Sequence, residues 1–389
     1  MLLTDRQTDR QTDRQTDRQT DRQTDRQTDR QTDRQYLWID SLKGLAILMV
    51  IAVHIGIGEV DSPIKQYTNN GMYGVQIFFV ISGYLTMKSY HRHIQHGDMA
   101  ISAWLKRKLC RLIPGFYIAC LFYTLVFDGI PYYLGEENGV SLLNFLAHIT
   151  FTFALIPHYI NSIIGVEWYL GLLVVYYVFV AVLGNRFVGI RKSIWLFILA
   201  TLLYKFPHML IYFLPKDLPD WYLYEIFLSK FNPFSQGVFF AAGVLLSEFK
   251  LARINDKFID SMMKRRMLIL LAITLFLLTT LNIIHSKHDL LYGLFAFVVI
   301  LVNLEPGVSW GNNKFLAKFG KLSYEIYLSH FMIILLFNQW LVCLQFILGD
   351  LYFFSKYCIV IIASYIVSIV LKHASTGGKL LYENTYNRC

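Results

Sequence analysis

Charge is scarce in this sequence. Asp, Glu, Lys and Arg make up 16% of its 389 residues, against about 25% in soluble domains, and this argues against a polar shell wrapped around one or two cores. Periodic polar interruption is also missing. Runs such as Leu268 to Leu278 and Cys358 to Ile369 contain hardly a polar side chain, which a soluble chain of this length would not repeat. The five cysteines form no C-x-x-C and pair with no histidine, so neither a disulfide framework nor a zinc or other metal site is indicated. No small-residue cleavage site follows the first apolar block, near Leu42, and that block reads as a retained span and not as a signal peptide.

What remains is a membrane composition, with 55% hydrophobic residues gathered in blocks. The net charge of +9 does not point to nucleic acid, because the basic residues sit in short loops beside apolar blocks. The expected fold is all-α, a polytopic transmembrane bundle of about ten spans at residues 36–371, with a short tail at 372–389. A fused external domain is not expected after the last span.

Residues 1–35 stand apart. From Thr4 to Gln35 the chain is eight copies of Thr-Asp-Arg-Gln, whose charges cancel and whose apolar content is nil, so a disordered cytoplasmic tail is expected. Codons ACA GAC AGA CAG would encode this tetrapeptide as one tetranucleotide repeated in a triplet frame. Slippage by one unit shifts the frame, so the repeat reads as an expression switch of the phase-variation kind.

Ten apolar blocks are span candidates: Leu42 to Ile57, Val75 to Met87, Ile113 to Phe127, Trp168 to Leu183, Ile194 to Phe213, Pro233 to Phe249, Met267 to Ile284, Leu290 to Leu304, Ser323 to Leu348 and Tyr357 to Leu371. An eleventh, Leu142 to Ile156, would send the basic loop of Arg186, Arg191 and Lys192 outside if it crossed, and is expected to be re-entrant or an external helix. The basic loops at 88–111 and 250–266 belong in the cytoplasm on the same rule. Both termini then lie in the cytoplasm.

Ionisable residues inside apolar blocks carry the functional information, since each is costly unless it faces a cavity or a partner. Lys43 and His54 are eleven residues apart, three helical turns plus about 20°, so they share a face about 16 Å apart along the axis. A cation at the cytoplasmic mouth suits a phosphorylated donor, and a deeper imidazole suits a general base. A snorkelling lysine and a hydrogen-bonded structural histidine fit the same spacing. Gly74 and Gly83 are expected to serve close packing, while Ser82 could donate into a cavity. The basic run Arg107, Lys108 and Arg111 before Pro114 fits membrane anchoring and a phosphate site alike. Tyr324, Tyr327 and His330 share a helix face, with His330 a weaker catalytic candidate than His54.

Taken in order, the Asp40 to His54 segment, Phe78-Phe79-Val80-Ile81-Ser82-Gly83-Tyr84-Leu85, Arg107 to Pro114, Trp168-Tyr169-Leu170 with Tyr176-Tyr177, and Ser323 to His330 resemble acyltransferase family 3, the membrane enzymes that O-acylate bacterial surface glycans. The resemblance runs from Tyr36 to about Leu371. It implies acyl-CoA, usually acetyl-CoA, as donor substrate, with no bound cofactor. The acceptor it implies is a hydroxyl of a surface glycan such as lipopolysaccharide or lipooligosaccharide, or of a lipid-linked sugar.

On that resemblance His54 is the catalytic residue, and Lys43, Arg107 and Arg111 bind the donor's phosphates. Asp40, Ser82, Glu167, Trp168, Tyr324 and His330 are accessory candidates. The family's arginine eleven residues before the histidine is here Lys43, which keeps the charge and loses bidentate geometry. A glutamate that many members carry five residues after the tryptophan is here Leu173; either Glu167 replaces it or the chain belongs to a branch without that carboxylate. A transporter or flippase is the rival class, since intramembrane His and Lys also mark substrate paths; the one broken-helix signal is Lys205-Phe-Pro-His208. A passive membrane scaffold would not explain recurrent polar residues within spans.

Overall fold

The computed structural model describes residues 37–55, 68–95, 100–127, 139–252, 262–284, 287–304, 310–340 and 351–386, with side chains to Ser375 in the last segment. The repeat tail lies outside the described residues. Among those residues the chain is helical with no strand, as an apolar solvent demands, because a helix satisfies its own backbone hydrogen bonds.

The α-helices among the described residues are α1 (Leu37–Ile55), α2 (Gly74–Gln95), α3 (Ile101–Phe127), α4 (Leu142–Ile149), α5 (Trp168–Leu183), α6 (Ile190–Leu203), α7 (Phe206–Leu210), α8 (Trp221–Ser229), α9 (Pro233–Leu251), α10 (Met262–Thr280), α11 (His288–Asn303), α12 (Lys314–Lys321), α13 (Ser323–Trp340) and α14 (Leu351–Tyr386). The described part of each of the ten span candidates is mainly helix. Five segments are long and apolar enough to cross a membrane: Leu37–Ile55, Ile101–Phe127, Trp168–Arg186, Ile190–Phe213 and Leu351–Ser375. At 1.5 Å per residue, 19 residues reach about 28 Å, close to a hydrocarbon core.

Burial separates centre from rim. The apolar window of α1 is 56% buried, whereas those of Ile190–Phe213 and Leu351–Ser375 are each 22% buried. Thus α1 is central, and α6 and α14 turn residues such as Trp195, Leu202, Ile362 and Val370 outward. Outward apolar surface on this scale fits contact with lipid. Polar residues of α2, α9 and α13, among them Gln76, Gln236, Glu248, Ser329 and His330, instead lie buried.

Close backbone contacts fix the central helices. A Cβ built on Gly83 of α2 would fall on the Phe240 carbonyl of α9, and one on Gly243 would fall on the Val80 carbonyl, so the two helices cross with no room for any side chain. At the other end of α1, Ser41 Oγ accepts from the Asn313 N–H at 2.9 Å, and Asn313 caps α12 through Phe315 and Leu316. This clamps the amphipathic α12 against the Lys43 end of α1.

Two sequence expectations change shape. The Ile194 to Phe213 block is not one helix: α6 ends at Leu203, and after Tyr204 and Lys205 a short α7 restarts with Pro207 in its first turn. Proline is tolerated there and not in a helix interior, which explains the break. The Leu142 to Ile156 block forms the eight-residue α4 and the 3-10 turn Thr152–Leu155, with Phe151 at φ 59° between them. Eight residues span about 12 Å, too little to cross.

Candidate functional site

Helices α1, α2 and α5 each line two cavities, one toward either end. The inner cavity, of about 390 Å³, takes Lys43 from α1, Ser82 from α2 and Tyr169 from α5. From α3 it takes Arg107, Lys108 and Arg111, and from α13 Tyr324 and Tyr327. The outer cavity, of about 620 Å³, takes His54 from α1, Gln76 from α2 and Trp168 from α5. Phe79 is fully buried and lines neither cavity, its ring 6.0 Å from that of Trp168 and 4.8 Å from that of Tyr169. The face shared by Lys43 and His54 therefore opens into two chambers, where the spacing alone suggested one channel.

In the inner cavity the cations converge because α3 brings three of them, Arg107 and Lys108 on one turn and Arg111 on the next, to the cavity that Lys43 also lines. Lys43 also pairs with Asp40 at 3.6 Å, which places Asp40 beside the cavity as the partner of a cation. Lys108 lies over the rings of Trp104 and Tyr177, at 5.6 and 5.4 Å from their centroids. Arg107 donates to His93 Nδ1 at 3.2 Å. Ser82 Oγ and the Tyr169 hydroxyl are hydrogen-bonded at 3.0 Å, and the Tyr324 hydroxyl donates to the Leu112 carbonyl. Such a chamber offers several positive charges and hydroxyls to an anionic group.

At the outer cavity His54 is half-buried, and His330 Nε2 stands 3.2 Å from His54 Nδ1. His330 is fully buried, and its Nδ1 faces the carbonyls of Ile326 at 3.1 Å and Tyr327 at 2.9 Å. Those carbonyls only accept, so Nδ1 of His330 carries a proton and, in the neutral ring, Nε2 offers a lone pair. With both rings neutral the facing Nδ1 of His54 is the donor, which leaves the lone pair of His54 on Nε2; the Val50 backbone is a further partner of the His54 ring. Phe331 packs edge-on against His54, with centroids 5.6 Å apart. The pair is thus an oriented imidazole backed by a second one, the arrangement a general base needs.

Glu167 lines neither cavity. It is fully buried, where Oε1 meets His148 Nε2 at 3.1 Å and accepts from the Ile163 N–H at 2.9 Å. Burial works against its charge, but the His148 and Ile163 bonds outweigh it and hold the carboxyl below its usual range. It secures the loop before α5 from inside. That loop reaches α13 twice: the Tyr327 hydroxyl donates to the Val166 carbonyl, and the Phe331 ring fills the space a side chain on Gly165 would need. Glu167 thus braces this loop, and its neighbour Trp168 is the one that reaches the outer cavity.

The sequence carried no sign that His330 meets His54, because nothing local joins residues 54 and 330. It also left out His148, whose partner is 19 residues away, and three lysines of the outer cavity, Lys205, Lys230 and Lys287. The one signal for these was the Lys205 to His208 interruption. Residues 36–373 match the model of a family described as an acyltransferase domain. No curated protein and no solved structure matches the chain.

Proposed function

The chain belongs to acyltransferase family 3 and is a membrane acyltransferase, and on that premise we propose that it moves an acetyl group from acetyl-CoA to a hydroxyl of a bacterial surface glycan. The observation that carries this reading is His54, backed by the buried His330, opening on one cavity while a cluster of cations lines the other.

The donor's phosphates are held by Lys43, Arg107 and Arg111, joined by Lys108, in the inner chamber. The basic residues of 88–111 and 250–266, at the ends of helices and in their connections, support a cytoplasmic side for that chamber by the positive-inside bias, and the cytoplasm is where acetyl-CoA is found. About 16 Å of helix rise separates Lys43 from His54, and the donor's thioester arm spans it to bring the acyl carbon to the outer chamber.

There His54 Nε2 takes the proton of the acceptor hydroxyl as its oxygen attacks the thioester carbonyl. The Nδ1–H to His330 bond supports the imidazolium that forms. The new C–O bond replaces the C–S bond, and the departing thiolate recovers the proton from His54. Ser82, Tyr169 and Tyr324 line the donor's route with hydroxyls.

The test is transfer in vitro. The purified full chain in lipid nanodiscs, given acetyl-CoA and surface glycan from a deletion strain, is expected to release free thiol and label the glycan. A His54→Ala chain is expected to do neither. Equal thiol release by the two proteins would overturn the role of His54, and no glycan label from the intact chain would overturn the acceptor class.

A further inference from the structure

The outer cavity has a charge pattern that a neutral sugar does not need. Lys205, Lys230 and Lys287 come to its wall from three separate places: the break between α6 and α7, the end of α8 and the start of α11. Asp289 is the one carboxylate among its described lining residues, and the Tyr204 hydroxyl already donates to it. Three lysines against one acid leave an excess of two positive charges around the chamber that holds His54.

Membrane topology does not supply the reason. Lysines gather on the cytoplasmic side of spans, whereas these three share the His54 end of the bundle, the end opposite Lys43, Arg107 and Arg111. The helix break sharpens the point. Continuing α6 past Tyr204 would carry Lys205 along a regular helix, but Pro207 restarts the chain, and Lys205 and His208 both reach the cavity wall.

Lysine ammonium groups are the natural partners of a carboxylate or phosphate, and a neutral saccharide offers them neither.

We infer that the acceptor is an anionic saccharide, in which the acetylated sugar or its immediate neighbour bears a carboxylate or phosphate held by Lys205, Lys230 and Lys287. This rests on the acyltransferase reading above and deepens it by naming the class of acceptor.

The experiment locates the acetyl group. Surface glycan from cells carrying the intact gene and from a deletion strain is fragmented and weighed by mass spectrometry, so that each gene-dependent acetyl is assigned to a sugar. The expected result is an acetyl on, or next to, a sugar that carries an anionic group; the fragment mass tells phosphate from carboxylate. A gene-dependent acetyl on a neutral sugar with neutral neighbours overturns the inference and leaves the acyltransferase reading standing. Glycan acetylation that is identical in both strains removes the reading itself.

Two variants then tie the result to the lysines. The triple variant Lys205→Gln, Lys230→Gln and Lys287→Gln, at matched membrane abundance, is expected to lose about tenfold or more in kcat/KM for the native glycan through KM. The three Lys→Arg changes are expected to restore it. Unchanged KM in the glutamine variant would also overturn the assignment.

Discussion

Replacing His330 by alanine tests the orientation of His54 without touching the base itself. The 3.2 Å contact gives the His54 Nδ1–H an acceptor, and during transfer that donor belongs to an imidazolium. Hydrogen bonds involving a charged group are worth about 1.5 to 3 kcal/mol, and at 1.36 kcal/mol per decade the loss corresponds to about 13-fold to 160-fold in rate. The effect belongs in kcat, because the bond strengthens as charge develops on His54, whereas the KM for acetyl-CoA reflects the cations of the inner chamber. Initial rates of glycan acetylation at saturating donor measure it directly. Glutamine at 330 presents a carbonyl oxygen as acceptor and is expected to recover part of the loss. An alanine variant with native kcat at equal folded abundance would refute the tautomer argument.

Other expectations rest on the same geometry. Neutralising Arg107, Lys108 or Arg111 singly is expected to raise the KM for acetyl-CoA severalfold with little change in kcat; a fall in kcat alone would place them elsewhere in the mechanism. Gly83→Val puts a side chain onto the Phe240 carbonyl, and thermal unfolding in detergent is expected to show a loss of at least about 1 to 3 kcal/mol. Breaking the buried Glu167 and His148 pair by Glu167→Ala is expected to cost about 3 to 5 kcal/mol, with activity falling as the loop and Phe331 shift. Because the Glu167 carboxyl is held below its usual range when folded, its stabilising effect is full above the ordinary carboxylate value. It is lost as the pH falls through the lowered one, so a steeper acid unfolding of the native chain than of a Glu167→Gln chain is expected. Finally, colonies sampled for the Thr-Asp-Arg-Gln repeat are expected to differ in repeat number and in expression; a constant number would rule out the switch.

Much of the fold was legible because lipid leaves a chain few options. Apolar blocks became helices, and Gly83 proved to be a backbone crossing, as small residues within an apolar block imply. The site was less legible, for a physical reason: its key contacts join residues far apart in sequence. Helical spacing put Lys43 and His54 on one face, but it could not show that the two line separate cavities. A carboxylate beside a tryptophan looked like a site residue, yet Glu167 turns inward, to a histidine on α4. The Lys205 to His208 interruption was visible as a broken helix, but which cavity it faces depended on how α8 and α11 pack around it.

The measurement closest to the central claim is the O-acetyl content of purified surface glycan from three strains, one with the intact gene, one with a deletion and one with His54→Ala at normal membrane abundance. The account predicts acetyl groups in the first and their loss from the other two. Acetyl content unchanged by deletion would contradict glycan acetylation, and acetylation that survives in the His54→Ala strain would contradict the reaction centre placed here.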